Sequence, residues 1–119
     1  MPSHSLTTMT TKELLSRYAV GQRDFRNLNL MAANLRSVNL SGINLSGANL
    51  TRANLTKANL SHANLTDAIL IGANLAETNF TRANLTNGNL SSTDLSVANL
   101  SRAQLHGATM PEVTQQTAV

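Results

Sequence analysis

The stretch Ala53-Asn54-Leu55-Thr56-Lys57-Ala58-Asn59-Leu60-Ser61-His62 holds two units of five residues with leucine in the same place in each. Read outward in both directions, the register does not break. An apolar residue stands at every fifth position from Phe25, Leu30 and Leu35 through Leu105 to Met110, which makes eighteen consecutive units. A helix repeats every 3.6 residues or so and a strand every two, and neither holds a five-residue register over this length. A short fixed repeat is the mark of a solenoid, in which each unit buries its apolar side only against its neighbours.

Within a unit the positions divide by chemistry. The residue two before each central apolar side chain is Ala in eleven units, and elsewhere mostly small or apolar, as at Leu28, Val38, Ile43, Thr78, Gly88 and Thr93. Strand alternation turns this position and the centre to the same side, so the two are expected to line the interior and the other three to face solvent. The residue just before the centre is Asn in thirteen of the eighteen units. Asn tolerates tight-turn backbone angles and bonds to nearby backbone groups, and stacked amides form ladders. Ser or Thr usually follows the centre, where its hydroxyl serves the same turn.

Tandem Ala-Asn-Leu-Ser/Thr-X resembles the pentapeptide-repeat family over about three-quarters of the chain. The resemblance implies an all-β solenoid, a right-handed quadrilateral β-helix with four units per coil and so about four and a half coils here. Leu14 to Phe25, and Gly107-Ala108-Thr109-Met110-Pro111, look like the two ends of cyanobacterial members, among them a regulator of heterocyst differentiation. Beyond Pro111, Glu112-Val113 replaces the family's usual acidic-Gly turn.

The flanks complete the domain plan. Residues 1–9 are polar and without pattern, and are expected to be disordered. Residues 10–22 are expected to form a capping helix: Thr10-Thr11-Lys12-Glu13 reads as a capping box, Leu14, Leu15 and Tyr18 share a face, and Gly21 is a natural stop. Residues 23–110 form the repeat and residues 111–119 a C-terminal tail.

Composition narrows the function. Among 119 residues 41% are hydrophobic but only 3% aromatic, which suits a narrow regular core of Leu and Ala. There is no cysteine, so thiol catalysis and thiolate metal sites are excluded. No basic segment leads into an apolar run and no stretch approaches the roughly 18 apolar residues of a membrane span, so a cytoplasmic protein without a membrane partner is expected. His62 and His106 occupy outward positions that spacing does not bring to a carboxylate and a nucleophile, and a filled prism has no substrate cleft. No enzyme activity, cofactor, metal or small-molecule substrate is expected.

If four units close a coil, residues twenty apart stack. Lys57 then lies under Glu77 as an exposed ion pair. His62, Arg82 and Arg102 form a basic column. Met31, Ile69 and Ile71 lie on one face, where Ile69 and Ile71 stand at positions that the pattern fills with Asn and with Ser or Thr. Scattered exposed aliphatics are ordinary, as is a solvated basic face. Yet these two groups are the places where the regular surface departs from rule, and they are the candidate docking sites for a protein partner or a second copy. Nucleic acid is disfavoured, since three groups offer few phosphate contacts and no aromatic is present to stack a base. The reading is a non-enzymatic interaction scaffold, and the resemblance implies a regulatory role such as binding a transcription regulator in a cyanobacterium. The alternative is a DNA mimic acting on a topoisomerase such as gyrase. That role needs acidic columns, and the repeat carries only Asp24, Asp67, Glu77 and Asp94 against seven Arg and Lys in a chain of net charge +3.

Overall fold

One backbone angle, repeated, makes the coil. From Asn27 to Gly107 the residue two after each central apolar side chain has φ between 57° and 73°, with Val97 the single exception. The central carbonyl accepts a hydrogen bond from the N–H three residues on, as Leu30 does from Ala33 at 3.1 Å. Positive φ at the third residue, together with that bond, defines a type II turn. Each unit is therefore a short extended segment and a corner. The computed structural model describes residues 6–112.

Four corners close a coil. Parallel bridges join Asp24 to Asn44, Asn44 to Asn64, Asn64 to Asn84 and Asn84 to Gln104, each pair twenty residues apart, and the other three faces repeat this register. Every backbone donor of a regular unit then has a defined acceptor. In the unit around Leu55, Ala53 N–H closes a turn on Leu50 O (3.0 Å), and Asn54 N–H reaches back one coil to Ala33 O (2.9 Å). Leu55 N–H and Lys57 N–H reach forward to Asn74 O and Ala76 O, at 2.9 and 3.0 Å. The fifth donor, Thr56 N–H, is accepted by the Asn54 side-chain Oδ1 at 3.0 Å. Buried backbone donors must be paired, and the Asn of the repeat is what completes the set. The asparagines do so as turn acceptors within their own unit.

The core follows the expected division. Leu35, Leu40, Leu45, Leu50, Leu55, Leu60, Leu65 and Leu70 are fully buried, with Ala48, Ala53, Ala58, Ala63 and Ala68 beside them. Thr78 takes an inward position with its hydroxyl donating to Leu55 O at 2.7 Å, so its burial leaves no polar group unpaired. The expectation that the other three positions all face solvent needs correction. The Ser or Thr after the centre is mostly half-buried, and Thr56 is buried, because adjacent coils cover it. Of the three, only the corner residue is open at almost every unit, Gly47 being half-buried.

At the N-terminal end, α1 (Thr11–Ala19) begins at Thr10, whose Oγ1 accepts from Glu13 N–H at 3.1 Å. The reciprocal half of the capping box is absent: the Glu13 carboxylate instead takes Arg17 at 2.7 Å, one turn along. The helix ends in a Schellman motif, with Gly21 N–H to Tyr18 O and Gln22 N–H to Arg17 O, and Gly21 at φ 105°. Leu14 is fully buried, and Leu15 and Tyr18 pack partly buried against the core. Arg23 lies over the Tyr18 ring, 3.7 Å from its centroid.

Disorder over residues 1–9 does not hold for all of that segment. Thr7–Thr8 form β1, which pairs in parallel with β2 (Leu28–Asn29), and Met9 packs against the core. The reason is the coil edge: a first coil has no coil below it, and an added strand takes up its free backbone groups. Residues 1–5 lie outside the described residues, as does the tail from Val113 onward. At the other end of the described chain Leu95, Leu100 and Leu105 are half-buried and Met110 is 44% exposed.

Candidate functional site

The corners carry the outward chemistry, and each vertical line of corners reads as one column. One line runs Gly42, His62, Arg82, Arg102. His62 N–H donates to Thr81 O and Arg82 N–H to Ser101 O, both at 2.9 Å, which stacks the three side-chain-bearing residues in order. All three sit at φ 60–61° and are exposed. Among the described residues no carboxylate lies within ion-pair distance of any of them; the ion pairs there are Arg17–Glu13 and Arg26–Asp24. The other three corner lines carry at most one basic residue each (Arg52 on one, Lys57 beside Glu77 on another), so this edge alone stacks several.

The apolar group is assembled less closely. Ile69 bridges Asn49 below and Asn89 above, and Met31 lies two coils from Ile71 with Thr51 between. Met31 is 53% exposed, but Ile69 and Ile71 are only half-buried and do not stand out as exposed aliphatics. The same coil stacking that covers the Ser and Thr residues covers them. Ile69 also has no side-chain acceptor, so the bond that Asn offers to the N–H two residues on is missing at Ile71.

Lys57 and Glu77 stack but form no ion pair. An exposed pair gains at most about 1 kcal/mol and must immobilise two long side chains, so register alone does not bring them together. Two carboxyls are held below the usual carboxylate range. At Asp24 the Arg26 guanidinium is the main cause, with the Arg26 backbone N–H second. At Asp94 the Ser96 backbone N–H is the main cause. Both are exposed, and among the described residues no three His, Asp or Glu gather in metal-ligand geometry. A groove of about 480 Å³ opens between β1, α1 and the first coil, lined by Thr7, Met9, Arg17, Phe25 and Arg26 among others. Among the described residues no helix is long and apolar enough to cross a membrane.

The five-residue register, the twenty-residue coil and the donor accounting find their counterpart in a family comparison. The profile of the family described as Pentapeptide repeats (8 copies) matches twice, over residues 29–67 and 58–96. The chain is a pentapeptide-repeat protein. Such proteins fold as right-handed β-helices and are generally structural or interaction proteins. Among solved structures, this pentapeptide-repeat chain is similar to Rfr23 of the cyanobacterium Cyanothece 51142, at 30% identity and TM-score 0.72, over 91% of this chain and 80% of that one. It is also similar to a pentapeptide repeat protein of the Arabidopsis thaliana thylakoid lumen, at 34% identity and TM-score 0.59, over 64% and 56% of the respective chains. HetL of Nostoc sp. strain PCC 7120, involved in heterocyst differentiation regulation, is 39% identical over 84% of this chain and 46% of its own, at TM-score 0.43. A comparison with functionally curated proteins finds no match.

Proposed function

We propose that this pentapeptide-repeat protein is a non-enzymatic, cytoplasmic interaction scaffold of about four and a half coils, with α1 as its N-terminal cap. It docks an acidic protein surface along the edge of His62, Arg82 and Arg102. The observation that carries this reading is the unpaired state of that column: three exposed basic side chains on one edge, with no carboxylate within ion-pair distance among the described residues. Such an edge steers an oppositely charged partner and sets its register more than it adds affinity. The patch of Met31, Ile69 and Ile71 is the second candidate face, for a foreign partner or a second copy. Its support is Met31, the member that is exposed by more than half. A regulatory role, such as binding a transcription regulator, extends the scaffold reading and is supported by the likeness of the chain's two ends to cyanobacterial family members.

The test is photocrosslinking in source cells from a probe at position 82, with the doubly reversed Arg82→Glu/Arg102→Glu chain and the Ile69→Asn/Ile71→Thr chain compared in affinity measurements on the captured protein. Charge reversal is expected to weaken binding at least about tenfold, and more at low salt. The patch substitutions are expected to leave it within about twofold. The opposite ranking transfers the site to the patch.

A further inference from the structure

The coil's one irregular corner lies at Val97. It is the only residue in the corner series that does not adopt positive φ, and the cause is its chemistry: a β-branched side chain collides with the backbone in the left-handed region. The disturbance spreads to the ladder. Bridges join Asn34 to Asn54 and Asn54 to Asn74, but the next in that line, Asn74 to Asp94, is missing. Two hydrogen bonds go with it. Leu35 N–H and Leu55 N–H each donate to the Asn one coil on, at 2.8 and 2.9 Å, whereas Leu75 N–H has no backbone acceptor although Leu75 is only 1% exposed. Asp94 N–H likewise makes no bond to Ala73 O, where Asn54 and Asn74 both reach back one coil. Glu77 N–H is displaced by one residue, to Val97 O at 3.1 Å. Val97 itself is 58% exposed, and Thr93 and Leu95 are half-buried where residues one coil below are buried.

We propose that Thr93–Ala98 is a seam at which the outermost described coil separates from the coil beneath it, independently of the rest of the solenoid. Buried backbone groups without partners are rare and costly, and here the N–H of buried Leu75 and the C=O of buried Ala73 lack backbone partners, facing the exposed Asp94, whose N–H is also without one. The remaining faces of that coil stay latched, by Phe80 N–H to Asn99 O (2.7 Å), Leu85 N–H to Gln104 O (2.8 Å) and Leu90 N–H to Thr109 O (2.7 Å). The coil thus hinges on three faces and opens at the fourth. Opening bares the strand edge around Asn74, where the free Leu75 N–H and Ala73 C=O can pair with an additional extended chain.

The experiment is residue-resolved amide hydrogen exchange on the full chain. Leu75 is expected to exchange on the order of a hundredfold faster than Leu55, its equivalent one coil below, although both are buried. Val97→Asn places a residue that tolerates left-handed geometry at the corner, and is expected to slow Leu75 and Asp94 at least about tenfold without changing Leu55. The converse variant, Asn87→Val, puts the same lesion on another corner and is expected to speed exchange at Leu65. A Leu75 rate equal to that of Leu55, or one unmoved by Val97→Asn while the variant keeps its fold, overturns the proposal.

Discussion

At the residue scale the decisive side chain is asparagine, and its work is one bond. Oδ1 of Asn59 accepts Ser61 N–H at 2.9 Å, and the same bond recurs from Asn29 to Asn99, with Asp94 as a charged substitute. Thr51, Thr81, Thr86 and Ser91 add their hydroxyls to that oxygen. Asn59→Ala removes the acceptor and leaves a half-buried donor unmatched. We expect a loss of about 1–2 kcal/mol in chemical denaturation. Asn59→Asp, which keeps the oxygen as Asp94 does, is expected to lose less. The repeat of asparagine before leucine was legible in the sequence, and so was its value in a turn. The half-burial of the residue after leucine was not, because period alone does not say how far the next coil overlaps the corner. Val97 was legible in principle: a β-branched residue at a position that elsewhere holds only glycine or residues unbranched at Cβ signals an interrupted turn, once the sign of φ at that position is known.

At the scale of the element, the N-terminal pieces meet the first coil in two ways. β1 pairs with β2 and extends the ladder by one short strand. Helix α1 covers the core with Leu14 and satisfies an edge carbonyl with a side chain. In a regular coil Ser41 O would accept a backbone N–H from residue 22, but Gln22 N–H is engaged in the helix stop. The Tyr18 hydroxyl donates to Ser41 O at 2.7 Å in its place. Tyr18→Phe removes this donor while keeping the ring under Arg23. The expected loss is about 1 kcal/mol by thermal or chemical unfolding, with unchanged circular dichroism. An unchanged stability would assign the contact no energetic role. The helix was readable from Thr10, the Leu14/Leu15/Tyr18 face and Gly21. The strand was not, because Thr7 and Thr8 carry no apolar alternation and their pairing is dictated by an edge that exists only once the coil has formed.

For the whole molecule, the inward rows are mostly Leu and Ala and the outward rows are not, so substitutions on the two sets are expected to differ in cost. Leu65 is fully buried and His62 is exposed at a corner. Leu65→Asp would bury an unpaired carboxylate and is expected to cost several kcal/mol, whereas His62→Asp, at an angle Asp tolerates, is expected to stay within about 0.5 kcal/mol of the parent. Thermal melts of the two variants check this. Similar losses would refute the division between inside and outside. The arrangement of the outward rows was only partly legible. Vertical neighbours follow from the twenty-residue register, but solvent exposure at Ile69 and pairing between Lys57 and Glu77 depend on side-chain placement that register does not fix.

The twenty-residue bridge also makes the surface a matter of arithmetic. A duplicated or deleted block of five residues leaves every inward leucine and every corner in place, yet turns all later side chains by a quarter of the prism. Placed between His62 and Arg82, such a block would leave His62 beneath a different column, while Arg82 and Arg102 would move together to a neighbouring edge. A block of twenty restores the alignment. Changes in length that look equally mild in the sequence thus fall into two kinds: those that merely lengthen the rod, and those that shuffle its faces like the rings of a combination lock.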